Sequence, residues 1–246
     1  MLLQVKNITK HFGGVQAVND CSFEVRPEKI TAIIGPNGAG KSTVFSLVSG
    51  NVTQGSGEIW LGENLLNPLP VHKRAQQGIA RTFQSVRVFK NLTVKDNLML
   101  SLNPNDEKFW HSLFRKESES LVLRIREVMG MIGLEKNLDS LGSDLSYGQQ
   151  KLLELAKAIL YPHKILMLDE PIAGVSPILR DKLKEILCEL KKQKETILII
   201  EHDMNFVFEV ADHVIVMDQG KVLTQGTPEE IKNNPQVLEI YLGEQL

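Results

Sequence analysis

The run Gly35-Pro36-Asn37-Gly38-Ala39-Gly40-Lys41-Ser42 has the spacing G-x-x-x-x-G-K-[ST], the pattern of a loop that cradles phosphate. Its glycines let the backbone curl until several N–H groups point at one anion. The helix-like run that begins at Thr43 would add the positive potential of its N-terminal end. In such a loop Lys41 reaches the β- and γ-phosphates of a nucleoside triphosphate, and Ser42 sets its hydroxyl on Mg²⁺. A glycine-rich turn with no ligand is the plain alternative. It leaves unexplained the apolar run Ile30–Ile34 directly before the loop and the helical run directly after it. Two acidic clusters offer further chemistry. Asp169 can hold Mg²⁺ through water, and Glu170 can polarise or deprotonate an attacking water. Taken alone, the pair equally starts a solvated turn before Pro171. In Glu201-His202-Asp203, His202 can hydrogen-bond a γ-phosphate or the water, although a lone histidine at a strand end is more often structural. His11, His72, His111, His163 and His213 show no ligand spacing. Cys21 and Cys188 fit no metal or redox spacing, and both read as small buried hydrophobes in a reducing compartment.

These groups need elements to position them. Ile30–Ile34, Ile165–Leu168 and Thr196–Ile200 are short and nearly all apolar, as expected of strands buried on both faces. Each ends where a candidate cluster begins, and in open parallel sheets ligands gather at the carboxyl ends of the strands. Val5–Val25 alternates, with Gly13-Gly14 as a turn, and Glu58–Leu61 reads as another short strand. Asn64–Gly78 reads as loop and short helix, and Ile79–Phe83 as a strand leading to Gln84. From Leu92 to Gly142 the β-branched runs vanish. There Leu98, Leu102, Leu113, Leu121, Ile125, Val128, Met129 and Ile132 recur at helical spacing, which marks a helical insert. Pro177–Lys192 is an amphipathic helix with Leu179, Leu183, Ile186, Leu187 and Leu190 on one face. A strand pair around Asp218-Gln219-Gly220 precedes two short C-terminal helices. Strands alternating with helices predict an α/β fold with a mostly parallel sheet covered on both faces.

The bulk numbers narrow the classes. The chain has 246 residues, 42% hydrophobic and 24% charged, as in ordinary globular proteins. A net charge of −2 argues against a nucleic-acid surface. The start Met-Leu-Leu-Gln-Val-Lys lacks a basic-then-apolar signal pattern, and no run approaches 18 apolar residues. Any work at a membrane would need another chain to span it.

In Leu145-Ser146-Tyr147-Gly148-Gln149-Gln150, Ser146 is placed as an N-cap before a helix with Leu152, Leu155, Ala156 and Ile159 on its buried face. This is a second helix N-terminus suited to an anion, or simply an ordinary capped helix. Taken with the other clusters, the chain resembles the ATP-binding cassette (ABC) ATPases along essentially its whole length. Gly35–Ser42, with Thr43, matches the family's ATP-binding loop. Gln84 matches the Q-loop, and Leu145, Ser146, Tyr147, Gly148 and Gln149 match the signature motif, with Tyr147 in place of its first glycine. Ile165–Asp169 matches the Walker B strand, with Glu170 as general base. Ala173, Gly174, Val175 and Ser176 match the D-loop, and His202 the switch histidine. Phe12 lies where the family sets an aromatic against adenine, though core packing is the common fate of a phenylalanine.

The resemblance implies a phosphate-loop NTPase fold: a RecA-like, mostly parallel core sheet, an antiparallel β subdomain and a helical subdomain. It implies one ABC domain over 1–246, with 1–84 and 162–246 as the catalytic core and its β subdomain, and 85–161 as the helical part. The implied cofactors are ATP and Mg²⁺, the metal held by Ser42, Gln84 and Asp169, with Glu170, His202 and Gln84 catalytic. Two cassettes would face head to tail, the signature of each meeting ATP on the other, and hydrolysis would reopen the pair. The implied partners are a second cassette, identical or similar, transmembrane permease subunits and, indirectly, a solute-binding protein, which places the chain at the cytoplasmic face of the cell membrane. Val86-Arg87-Val88-Phe89 is the candidate for part of the permease groove.

His11-Phe12-Gly13-Gly14, Arg81-Thr82-Phe83-Gln84, Glu201-His202-Asp203-Met204 and Tyr241-Leu242-Gly243-Glu244 are similar to the ATP-binding subunits of branched-chain amino acid importers. Relatives serving amides, and a cousin group powering lipopolysaccharide export, share much of this pattern. Ser176 departs from the family's usual acidic or amide D-loop residue, and a hydroxyl is shorter. Lys151 is followed by Leu152 where many relatives have successive basic residues. A small-molecule kinase, a DNA-repair or translation cassette and a non-hydrolysing regulator are the other readings. None explains the Leu145–Gln149 motif, the single cassette and the pair Glu170 and His202 together.

Overall fold

The computed structural model describes residues 1–82, 86–102 and 119–243. Strands β1 (Leu3–Phe12) and β2 (Val15–Val25) form an antiparallel hairpin that closes at Phe12 and Val15. Strand β3 (Ile30–Ile34) is buried at every residue and runs into helix α1 (Lys41–Ser49). Next come β4 (Ser56–Leu61), the two-residue β5 (Asn64–Leu65), α2 (Val71–Gln77) and β6 (Ile79–Arg81). The helical stretch supplies α3 (Val94–Leu102), α4 (Glu119–Ile132) and, past two single 3₁₀ turns, α5 (Tyr147–Leu160). Strand β7 (Ile165–Asp169), α6 (Pro177–Lys192), β8 (Ile197–Ile200) and α7 (Met204–Val210) complete the alternation. The chain then forms the β9 (His213–Asp218) and β10 (Lys221–Gly226) hairpin and ends in α8 (Pro228–Lys232) and α9 (Pro235–Gly243).

Two sheets result. One is antiparallel with order β2-β1-β4-β5; the other has order β10-β9-β3-β8-β7-β6. In the second, every pairing from β9 to β6 is parallel and only β10 runs antiparallel. The side-chain alternation of β3 distributes its residues between two cores. Ile33 joins the cluster built from the antiparallel sheet and α1, whereas Ile30, Ala32 and Ile34 join the cluster built from α3 to α7. That two-sided burial is why β3, β7 and β8 carry almost no polar residue.

Several sequence expectations change in detail. Asn64–Gly78 contains a short strand as well as a helix, because Gly62 (φ 60) turns the chain so that Asn64 pairs with Leu61. Pairing of β6 stops at Arg81, opposite Met167, although the Thr82 N–H still donates to the Met167 carbonyl at 2.9 Å. Phe83, Gln84 and Leu113 lie outside the described residues. In the insert, Leu98, Ile125, Val128, Met129 and Ile132 are buried as the spacing requires. Cys21 is buried and burial pushes its thiol up to about 12, but Cys188 is only half-buried. Along α6 it sits beside the buried stripe of Leu183, Ile186, Leu187 and Leu190 rather than in it.

Candidate functional site: a nucleotide pocket at the carboxyl edge of the sheet

The three candidate clusters emerge from neighbouring strands. Ile200 is level with Ile33 on one side and with Asp169 on the other. Beyond that line the Glu170 N–H donates to the Ile200 carbonyl at 3.0 Å, and the Glu201 N–H to the Ile33 carbonyl at 3.3 Å. The loop after β3, the turn after β7 and the segment after β8 therefore leave one sheet edge side by side.

The loop's shape depends on two glycines. Gly35 and Gly40 have φ of 150° and 94°, a region L side chains avoid. A Cβ at Gly35 would stand 2.1 Å from the Met217 carbonyl oxygen, and one at Gly40 2.4 Å from that of Ala17. The loop is thus pressed against β9 and the β1–β2 hairpin, with Pro36 half-buried, Asn37 and Gly38 exposed at its tip and Ala39 buried at its return. Lys41 is buried, and its Nζ donates to the carbonyls of Gly35 at 2.6 Å and Pro36 at 2.9 Å. Its ammonium thereby sits inside the curl of backbone that would surround a phosphate. Ser42 is exposed and Thr43 half-buried on the first turn of α1. Phe12 is exposed at the end of β1, with the Lys10 ammonium 5.2 Å from its ring centre. It is therefore not a core residue, and its ring stands at the tip of the hairpin that also touches the loop through Ala17.

Asp169 is buried as the last residue of β7, and its N–H donates to the Thr82 hydroxyl at 3.4 Å. Its carboxylate accepts from Arg81 Nη2 at 2.8 Å, while Arg81 Nη1 donates to Ser49 Oγ at 2.7 Å. Glu170 follows in a left-handed conformation, φ 48, which is uncommon for a residue with a Cβ and turns the chain sharply off the strand. His202 is exposed, its Nδ1 3.9 Å from Glu201 Oε2. Glu201 itself is fully buried. Burial raises its carboxyl to about 7, against the pull of the Ile172 and His202 N–H groups that donate to it. Gln84 lies outside the described residues.

The head of α5 is a capping box. The Gln149 N–H donates to Ser146 Oγ at 3.3 Å, and the Ser146 N–H to Gln149 Oε1 at 2.9 Å. Leu145 anchors this head in the core, and Tyr147 projects into solvent. A Cβ on Gly148 would lie 3.0 Å from Leu179 Cδ2, so the missing side chain also lets α5 approach α6. Of the four residues Ala173, Gly174, Val175 and Ser176, the last caps α6, accepting from the Leu179 N–H at 3.4 Å. Reading residue types along the chain missed Arg81, whose role depends on an aspartate 88 positions away. It also missed the bridging role of Glu201, where the only signal was an acidic residue at the end of an apolar strand.

A parallel sheet with a glycine loop, an acidic pair and a histidine at one edge defines a phosphate-loop nucleotide-binding cassette with ATPase chemistry. The chain belongs to the ABC transporter family, whose model matches residues 18–173. A second model, for the branched-chain amino acid ATP-binding cassette transporter, matches residues 221–246. Among similar proteins is the high-affinity branched-chain amino acid transport ATP-binding protein LivG of Salmonella typhimurium, 41% identical over 99% of this chain and 98% of that one. The corresponding protein BraF of Pseudomonas aeruginosa is 39% identical with the same coverage. A nucleotide-free ATP-binding cassette from an ABC transporter superposes with a TM-score of 0.84 at 34% identity, over 98% of both chains. The ADP conformation of such a cassette gives 0.85 at 33%, also over 98% of both.

Proposed function

We propose that this chain is the ATP-hydrolysing subunit of an importer for branched-chain amino acids, working as one of two paired cassettes beneath membrane-spanning permease subunits. Similarity to LivG and BraF along the whole chain supports the substrate class. The observation that carries the ATPase reading is the convergence of Lys41, Asp169, Glu170 and His202 on adjacent strand ends.

The loop 35–42 fits a triphosphate: its curl depends on two positions where a Cβ would collide with backbone, and the Lys41 ammonium is held inside that curl by the Gly35 and Pro36 carbonyls. Phe12 offers a face for adenine. Ser42 and Asp169 are hard oxygen donors of the kind Mg²⁺ takes, and Gln84 is assigned as a third ligand. Among the described residues no group of three or more His, Cys, Asp or Glu could hold a metal alone. Such a donor set suits Mg²⁺, which is bound by one or two carboxylates together with substrate phosphates. When bound, Mg²⁺ would neutralise charge on the phosphates.

Glu170 then takes the proton of the attacking water, and His202 donates a hydrogen bond to the γ-phosphate oxygens as charge develops there. Arg81 must share Asp169 with the metal, and its second link, to Ser49, keeps it in place meanwhile. The α5 head, with Ser146, Gly148 and Gln149, caps the nucleotide of the partner cassette, and residues 173–176 meet the same interface. In this scheme 85–161 is the arm that transmits closure. Among the described residues no helix is long and apolar enough to cross a membrane. The permease is assigned to a cavity of about 270 Å³ lined by Val71, Ala75, Ala80, Arg87, Lys157 and Tyr161, with the exposed Phe89 ring centre 5.2 Å from the Lys157 ammonium.

Glu170→Gln tests the chemistry. The variant should bind ATP as tightly as the parent by calorimetry and turn over at least about 100-fold more slowly. Near-normal hydrolysis would remove Glu170 from the role of base.

A further inference from the structure

Two side chains outside the assigned chemistry make contacts that meet on one turn. Lys151 lies one helical turn into α5. Its Nζ donates to the Ala173 carbonyl at 2.5 Å and stands 5.7 Å from the ring centre of Tyr147. Lys151 also lines, with Thr82, Glu154, Asp169 and Glu170, a small cavity of about 30 Å³. Burial lowers its pKa, while Glu201, Glu154 and Glu170 pull the other way. From the opposite side, Glu201 Oε1 accepts from the Ile172 N–H at 3.0 Å and Oε2 from the His202 N–H at 3.2 Å. The turn closes on itself, since the Ala173 N–H donates to the Glu170 carbonyl at 3.1 Å. Consecutive residues of one turn are thus gripped from two directions: Ala173 by the helix that carries Ser146 and Gln149, Ile172 by the carboxylate that also holds the backbone of His202.

We propose that Lys151 and Glu201 are positioning residues forming one polar strut, which ties the head of α5 to the turn bearing Glu170 and to the segment bearing His202. The proposal rests on the reading above, in which Glu170 and His202 serve the chain's own nucleotide while the α5 head caps the partner's. Under that reading, the strut connects the two nucleotide sites of a pair through the interior of each chain. Docking of the α5 head on the partner's γ-phosphate shifts Lys151, and Lys151 carries the Ala173 carbonyl with it. The turn that aims Glu170 moves as a unit because its own hydrogen bond and the Glu201 bridge leave it little freedom. Coupling of this kind needs a contiguous link between two discrete arrangements, and the capped and uncapped states of the α5 head supply them.

The test uses the full chain with ATP and Mg²⁺. The parent should hydrolyse ATP with a Hill coefficient above 1. Lys151→Met keeps the aliphatic stem and removes the donor. It should lower kcat about 10-fold or more and bring the Hill coefficient to 1, with ATP affinity of the isolated chain within about twofold of the parent. Lys151→Arg should restore most of both. Glu201→Gln, equal in size, replaces one acceptor oxygen with an NH2 donor, so it can keep only one of the bonds from the Ile172 and His202 N–H groups, and it should move both readouts the same way. It also decides the matter if Lys151→Met does not fold. A merely stabilising contact would lower the melting temperature and leave the Hill coefficient alone. Unchanged kcat and cooperativity in folded Lys151→Met or Glu201→Gln, measured beside an inactive Glu170→Gln, would overturn the strut alone. An active Glu170→Gln would overturn the underlying reading and the strut with it.

Discussion

At Glu201 burial and charge conflict directly. It is fully buried at the end of β8, and desolvation raises its carboxyl from 4.5 to about 7 despite two N–H donors, with His202 lowering and Glu170 raising it further. Lys151, on the facing helix, is the other charge it feels. Because its folded pKa lies above its unfolded one, the folded protein holds a proton that the unfolded chain has released between these values. This contribution to stability is fully present below about pH 4.5, declines as pH rises and levels off above about pH 7. The span corresponds to roughly 3 kcal/mol. Glu195 and Asp212 are lowered instead, so their support is lost only at lower pH and does not mask the effect. Urea unfolding of parent and Glu201→Gln at pH 5 and pH 8 should show the parent losing more stability than the variant across that interval; parallel losses would contradict the assignment. The placement of Lys41, Glu170 and His202 at neighbouring strand ends was legible from type and spacing, because each belongs to a local pattern. Glu201 and Arg81 were not, because what they do depends on partners brought close only by the sheet.

The same distinction holds for elements. Strands β3, β7 and β8 announce themselves because burial on both faces leaves almost no position for a polar side chain. Helix α5 does so through a capping serine followed by a regular apolar stripe, and α6 through its apolar stripe. The two-residue β5 carries no such pattern, and the end of β6 is not marked in its sequence; both are decided by which neighbour is available to pair. Helix α2 shows the limit well. It contains Arg74, among the largest fully buried side chains, and nothing in Val71–Gln77 marks that residue as interior. Its guanidinium donates to the carbonyls of Leu47 at 2.6 Å, Val48 at 3.0 Å and Leu69 at 2.9 Å. A cation there bonds the last-turn carbonyls of α1, that of Leu47 beside the Gly50 N–H donor at 3.3 Å, and suits the negative end of that helix. Burial lowers its pKa. Arg74→Met should keep most of the volume, strip the guanidinium donors from the Leu47, Val48 and Leu69 carbonyls, of which Leu47 keeps the Gly50 N–H, and cost roughly 1–3 kcal/mol in a denaturant titration. Since α1 begins at Lys41, weakened nucleotide binding should accompany the loss; a variant as stable as the parent would mean that water replaces the guanidinium.

At the scale of the whole molecule, strand order was the least legible feature. Periodicity predicted a parallel sheet but not that β3 would lie between β9 and β8, an arrangement set by long-range crossovers rather than by any local run. That order matters, since it puts the loop of β3 beside the segments after β8 and β7. It does not by itself explain a capped, glycine-containing helix start with an exposed tyrosine at Ser146–Gly148. In the proposed pair that surface faces the partner's triphosphate, so ATP should hold two chains together. Glu170→Gln with ATP should therefore elute as a dimer, since the nucleotide persists. Adding Ser146→Arg places a bulky cation at the helix head and disrupts the capping box. The doubly substituted chain should still bind ATP, at the affinity set by its own loop 35–42, yet elute as a monomer. Size exclusion with bound nucleotide quantified in each peak measures both at once. A double variant that still dimerises with ATP would mean that the α5 head takes no part in the interface, and that the pocket is completed by some other surface of the chain.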